Sequence, residues 1–146
     1  MFRSIATWFG RLLGKRPLPV AGLRDPRQVL GEAGERAAET HLTKFARMKI
    51  LARRFRAHGG EIDLVCRDGE TIVFVEVKAR RDEKFMDAID AVTPEKQRRM
   101  ITAANAYLAK YRLDSRPARF DIVTVVGAAP DFRVLHTRDA FTPGVR

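Results

Sequence analysis

One cysteine in 146 residues rules out an internal disulfide, and a single thiol cannot build a thiolate zinc site. That residue, Cys66, stands in an apolar run and reads as a small buried hydrophobe. No apolar stretch approaches the ~20 residues needed to span a bilayer. Together these absences set the expectation of a reducing, cytoplasmic location. Acidic residues are the scarce charge: 18 Asp and Glu stand against 28 Lys and Arg, for a formal net charge of +10. An excess of this size favours a polyanionic partner, most simply nucleic acid, over a basic surface kept only for solubility. Hydrophobic residues, at 45%, are not scarce, and they suffice for one domain with its own core.

The first residues are apolar and basic together. Phe2, Ile5, Phe9 and Leu12 share one helical face, with Trp8 and Leu13 beside them and Arg3, Arg11, Lys15 and Arg16 around. A signal peptide needs a longer unbroken apolar region and a small-residue cleavage site, and neither is present. Residues 1–16 read either as a basic amphipathic helix that contacts a membrane surface or a protein, or as a tail made helical only by the domain. Pro17, Pro19, Gly22 and Pro26 mark residues 17–28 as a linker. The expected division is an extension and linker over 1–28, one domain over 29–142, and a tail over 143–146.

Inside the domain, Ala38, Leu42 and Phe45 recur at helical spacing and predict a helix over 31–47. Glu35 lies at the end of that stripe and is expected to point inward, with Gly31 and Gly34 permitting close approach. The alternative places Glu35 at the positive end of the helix dipole. Strands are expected over 49–56, 61–67 and 71–79. The last two are joined by Asp68-Gly69, a strong hairpin signal. Thr93 and Pro94 open a second helix over 94–111, with Ile101, Ala104, Leu108 and Tyr111 as its buried stripe. A fourth strand runs over 119–126 and a short fifth over 132–136. Apolar groups on both faces of the hairpin require cover on both sides. The expected fold is therefore an α/β sandwich, a central mixed β-sheet flanked by helices.

Two adjoining segments place charge where buried strand is expected: Gly60-Glu61-Ile62-Asp63-Leu64-Val65 and Val73-Phe74-Val75-Glu76-Val77-Lys78. If Asp68 and Gly69 are the central turn residues, Asp63 opposes Phe74 and Glu61 opposes Glu76. One face then carries Ile62, Leu64, Cys66, Val73, Val75 and Val77; the other carries Glu61, Asp63, Val65, Ile72, Phe74, Glu76 and Lys78. Asp63 and Glu76 become diagonal neighbours about 7–8 Å apart, close enough to share one ion. Two or three carboxylates, Glu35 included if its helix covers this face, suit Mg²⁺ or Mn²⁺ better than zinc. A basic chain with such a pocket suits phosphodiester hydrolysis, with Lys78 orienting water or stabilising charge on phosphate. Arg53, Arg54, Arg56, Arg80, Arg81, Lys96, Arg98 and Arg99 would hold the nucleic-acid backbone.

Each residue also has a plainer reading. Glu76 and Lys78 could pair at a sheet edge. Asp63 could bond a backbone amide or an arginine. Asp121 reads as structural, held by Arg119 or a helix end. Lys96, Arg98 and Arg99 could form a solvated first turn, although cations there oppose the helix dipole. His58 reads as a loop residue.

Asp63, twelve intervening residues, then Glu76-Val77-Lys78 resembles the D…(D/E)xK signature of restriction-endonuclease-like nucleases. The wider set is Gly34-Glu35-x-x-Ala38, Gly60-Glu61-Ile62-Asp63, Val73 to Lys78, Val92-Thr93-Pro94 with Lys96-Gln97, and Arg119-Phe120-Asp121. Together they resemble the bacterial YraN family over about residues 29–126. The resemblance implies a restriction-endonuclease-like fold similar to archaeal Holliday-junction resolvases, with Glu35, Asp63, Glu76 and Lys78 as the site. Gln97 corresponds to a glutamine that follows the lysine in related nucleases, unless Lys96 fills that place. The resemblance implies a Mg²⁺- or Mn²⁺-dependent endonuclease on branched or structured DNA, and a homodimer by analogy with resolvases that present two sites. The competing reading is a nucleic-acid-binding module that keeps the fold without catalysis. Ile62 stands where many members of the wider superfamily have proline before the aspartate.

Overall fold

The computed structural model describes residues 24–82 and 92–143. The amphipathic segment 1–16 and most of the linker lie outside the described residues, as do residues 144–146. Helix α1 spans Pro26–Thr40. The Asp25 carboxylate accepts the Arg27 amide at 2.8 Å, and Pro26 takes the first helical position. Asp-Pro thus works as a cap and first residue, so the helix begins inside the expected linker. Beyond Thr40 the chain widens into a π-helical turn, His41–Phe45, with the Ala46 amide donating to the His41 carbonyl at 3.0 Å. The extra residue in that turn rotates Phe45 off the apolar stripe. Phe45 is therefore 76% exposed instead of buried, and Met48 enters the core after the turn.

Strands β1 (Lys49–Ala57), β2 (Gly60–Asp68) and β3 (Thr71–Arg80) form a meander, helix α2 (Pro94–Lys110) follows, and β4 (Ala118–Val126) and β5 (Arg133–Phe141) complete the sheet. The order is β1-β2-β3-β4-β5, parallel only between β3 and β4. This is the expected α/β architecture: a mixed sheet with a helix on each face. β5 is longer than the expected 132–136 because its middle is tied to Asp121 on β4. Thr93 caps α2 by accepting the Lys96 amide, as expected.

Each face has its own core. Against α1 lie Leu64, Cys66, Val73, Val75, Val123 and Val125, packed on Ala38 and Leu42. Against α2 lie Val65, Ile72, Phe74, Phe120 and Ile122, packed on Met100, Ala103, Ala104 and Tyr107. The buried stripe of α2 is thus turned about one residue from the expected Ile101-Ala104-Leu108-Tyr111. Tyr107 explains the rotation, since its ring sits edge-on to both Phe55 and Phe74. Tyr111 is left half exposed.

The hairpin turn is Gly69-Glu70, with Gly69 at φ 58°, and Asp68 opposes Thr71. Glycine suits the first central position of such a turn. The register is therefore two residues away from the expected one: Val65 faces Phe74 and Leu64 faces Val75. A shift of two preserves side-chain faces but changes every pairing. Glu61 does not oppose Glu76; it faces Arg56 on β1. The β2–β3 ladder stops at Leu64 and Val75, while β2 stays paired to β1 as far as Gly60 and β3 to β4 as far as Arg80. The two central strands thus part into a fork. β2 leans toward α2 there: a Cβ on Gly60 would lie 2.3 Å from the Arg99 carbonyl oxygen. Ile62 follows, leaving the expected α1 face to join the core under α2.

Gly34 makes the corresponding close contact for α1, where a Cβ would lie 2.7 Å from the Ala79 Cβ. Gly31 has open space and no such role. Gly34→Ala is expected to cost about 1–3 kcal/mol by overpacking, read as a lower Tm, with Ala79→Gly in the same chain recovering part of the loss. An unchanged Tm in Gly34→Ala would contradict this seating of α1.

Candidate functional site

The fork between β2 and β3 gathers Asp63, Glu76, Lys78 and Lys96. Glu76 is 3% exposed, at the point where β3 loses its antiparallel partner. Its Oε1 lies 3.1 Å from Lys78 Nζ and its Oε2 lies 3.5 Å from Lys96 Nζ. Oε2 is buried and accepts no hydrogen bond. Asp63 Oδ2 accepts the Val77 amide at 2.8 Å, a donor left over where the ladder opens. The backbone-amide reading of Asp63 is therefore correct, without separating it from Glu76.

Burial is the largest influence on Asp63 and pushes its pKa up to about 7. The charge on Glu76 and a hydrogen bond to Glu76 push in the same direction, while the Val77 amide and Lys96 oppose them. Near neutral pH Asp63 is thus partly protonated, as expected of a carboxyl desolvated beside another acidic side chain. Cys66 is also buried, as expected of a small hydrophobe, and burial raises its thiol to about 12.

Glu35 is not gathered with them. Arg54, at φ 49° opposite Asp63, reaches α1 and holds Glu35 Oε2 at 3.0 Å through Nη2 and 3.3 Å through Nε. α1 covers the other face of the sheet, so Glu35 and Asp63 only share a hollow of about 380 Å³, lined also by Arg53, Arg54 and Glu39. Among the described residues no three His, Cys, Asp or Glu side chains form a metal-holding group. The expected third carboxylate is therefore held away by an arginine.

Lys96, rather than Gln97, reaches Glu76; the Gln97 amide donates to the Val92 carbonyl at 3.1 Å. Lys96 also borders a second hollow, of about 490 Å³, with Arg56, His58, Glu61 and Arg99. His58 belongs to the β1–β2 turn, at φ 50°. Four of the expected backbone-holding arginines already have carboxylate partners: Arg53 with Glu39, Arg54 with Glu35, Arg56 with Glu61, and Arg99 with Glu95. All four are largely exposed, where such pairs are weak enough for phosphate to replace. Arg80 donates to the Ala79 carbonyl, and Arg81 and Arg98 are exposed.

Asp121 has the opposite environment. It is fully buried and accepts from Arg119, from the Asp139 amide and, at 2.8 Å, from His136 Nε2. Burial alone would raise its pKa, but these partners hold it below the usual carboxylate range. The expected Arg119 partner is present; His136 was not legible, since only the β4–β5 register brings it near.

The profile of the family described as "Uncharacterised protein family UPF0102" matches residues 34–125. The chain belongs to the UPF0102 family. A UPF0102 protein of Hahella chejuensis is 50% identical over 91 residues, covering 60% of this chain and 73% of its own. One from Geotalea uraniireducens is 45% identical over 121 residues, covering 81% and 93%. Another, from Geobacter sulfurreducens, is 41% identical over 125 residues, covering 85% and 97%. The UPF0102 match takes in all four fork residues and ends before β5.

The fork of this UPF0102 protein makes a pH prediction. Asp63 is raised in the folded state, so between its unfolded pKa and about 7 the folded protein binds more protons than the unfolded one. Its contribution therefore erodes stability as pH rises through that window. Asp63→Asn is expected to melt a few degrees above wild type at about pH 8 in the absence of metal, and to show a flatter decline in Tm from about pH 5. A variant that melts no higher than wild type would contradict the strained pair.

Proposed function

We propose that this UPF0102 protein is a divalent-metal-dependent phosphodiester hydrolase, an endonuclease acting on branched or otherwise structured DNA. The observation that carries the reading is the buried Oε2 of Glu76, which accepts no hydrogen bond, close to Asp63 and with Lys78 on the same carboxylate. The resemblance of Asp63, Glu76 and Lys78 to the D…(D/E)xK signature, and of the wider motif set to the YraN family and its nuclease-like fold, supports it. So does the net charge of +10.

Whether these residues suit a metal is decided by donor chemistry. Mg²⁺ takes hard oxygen donors, needs only one or two protein carboxylates, and completes its shell with water and substrate phosphate. Asp63 and Glu76 meet that need, and Oε2, which faces Lys96 but accepts no hydrogen bond, supplies a buried donor. Mg²⁺ or Mn²⁺, when bound, supplies charge that polarises a phosphodiester and acidifies water. In that role Asp63 would serve as its carboxylate, with its proton passing to solvent. Lys78, drawn off Glu76, donates toward the attacking water or the charge developing on phosphate. Lys96 carries positive charge from the fork to the hollow lined by Arg56, His58 and Arg99, where a nucleic-acid backbone would lie. Glu35 joins only if Arg54 releases it.

One observation favours a non-catalytic binding module instead: Lys78 and Lys96 together neutralise Glu76 with no cation, and Glu35 is occupied by Arg54. That module would bind DNA with the same salt dependence but without regard to metal or to Glu76.

Cleavage of junction, flap and linear DNA with Mg²⁺ or Mn²⁺ separates the two. Wild type is expected to cleave, with Glu76→Ala and Lys78→Ala reduced by about a hundredfold or more. Equal activity in all three proteins would remove the hydrolase. In DNA binding, Lys96→Ala is expected to reduce the slope of log K against log salt by about one. An unchanged slope would place the DNA backbone elsewhere.

A further inference from the structure

Among the described residues, two buried side-chain oxygens have no hydrogen-bond partner: Glu76 Oε2 and Thr124 Oγ1. Thr124 is 1% exposed and stands in a run otherwise made of Ile122, Val123, Val125 and Val126. Valine would fill the same volume there without burying an unpaired hydroxyl, so for packing alone threonine is the poorer residue. Its position suggests why it is there. The parallel β3–β4 ladder pairs Glu76 with Ile122 and Lys78 with Thr124. Ile122 belongs to the core under α2, so Thr124, two residues on, shares that face with Lys78 and Glu76. The hydroxyl is therefore the lysine's in-register neighbour on the next strand.

Lys78 places one ammonium donor on Glu76 Oε1, at 3.1 Å. A lysine has three donors on a flexible stem and keeps a fixed position only while acceptors hold it. On the hydrolase reading, on which this inference rests, a cation at Glu76 competes with Lys78 for the charge of that carboxylate. The Thr124 hydroxyl has two unused lone pairs and a proton that can turn away. We infer that Thr124 is a positioning residue: its Oγ1 accepts from the Lys78 ammonium when a divalent cation takes Glu76, and keeps the lysine aimed at the reacting water or phosphate.

Thr124→Val, which keeps the shape and removes the hydroxyl, and Thr124→Ser, which keeps the hydroxyl, test this. The measurements are Mg²⁺-dependent cleavage kinetics, Mg²⁺ affinity by calorimetry, thermal melting, and lysine-ammonium NMR of the Mg²⁺-loaded protein. Thr124→Val is expected to melt no lower than wild type, to bind Mg²⁺ and substrate within about twofold of wild type, and to lose about tenfold in kcat, the worth of one hydrogen bond to a charged group. Thr124→Ser is expected to recover most of that loss. The Lys78 ammonium signal, protected from exchange in loaded wild type, is expected to lose protection in Thr124→Val alone. A purely structural threonine would leave kcat and the Lys78 signal unmoved, and that result overturns this role while the hydrolase stands. A wild type that neither binds Mg²⁺ nor cleaves overturns the hydrolase and this role together.

Discussion

One buried and one half-buried carboxyl group, crowded together at the fork, set the terms for the rest of this structure. Burial, and then the neighbouring Glu76, penalise the ionised form of Asp63 there. The fold does not relieve this by exposing them. It ends the β2–β3 ladder just before they would pair, turns the freed Val77 amide onto Asp63, and brings lysines from β3 and α2 onto Glu76. Even so, one Glu76 oxygen is left unbonded. The close seating of Gly60 against α2 belongs to the same arrangement, since it draws β2 away from β3 and brings the first turn of α2, with Lys96, over the gap.

The other buried aspartate shows that such incompleteness is not forced by the fold. Asp121 is fully buried, yet an arginine, a histidine and a backbone amide satisfy it and hold its carboxyl ionised. The amide comes from Asp139, at φ 49° where the β4–β5 register slips, so the carboxylate pins β5 to the sheet. A chain that completes one buried carboxylate and leaves another short of partners, one register position away on the neighbouring strand, has two different uses for them. Asp121 contributes to architecture. The strain at Asp63 and Glu76 is the kind a ligand relieves, and buried groups with shifted pKa values concentrate at such places.

How much of this could be read from the chain follows from which rules are local. Alternation is local, so Asp63, Glu76 and Lys78 could be placed together before any coordinates. The turn lies one residue beyond Asp68-Gly69, which displaces the register by two; parity holds along the ladder and keeps Glu76 and Lys78 on one face, while Asp63 meets Glu76 across the open fork and the expected opposition of Glu61 and Glu76 is absent. Ile62 breaks the alternation because β2 bends at the fork, and only the contact between Gly60 and α2 reveals that bend. Phe45 failed for a similar reason, since a single π turn shifts the helical phase. Glu35 lay beyond reach for a different one. Its direction depends on which face α1 covers and on an arginine in a left-handed conformation, and neither is a matter of spacing. The Asp25-Pro26 start of α1 was legible, but the density of proline before it drew those residues into the linker.

Charge balance at the fork connects its resting form to the proposed chemistry. At rest, Asp63 is pushed toward its protonated form and two lysines face Glu76, which leaves a small positive excess. On the hydrolase reading, taking up a divalent cation while losing the Asp63 proton increases that excess, although a second carboxylate has become charged. The loaded fork is then more attractive to a phosphodiester than the resting one. The lysines that stabilise Glu76 in the absence of metal become the groups that meet substrate in its presence. Their double duty accounts for a feature that a purely structural ion pair leaves unexplained: two cations converge on one carboxylate, and the oxygen nearer Lys96 still accepts no hydrogen bond.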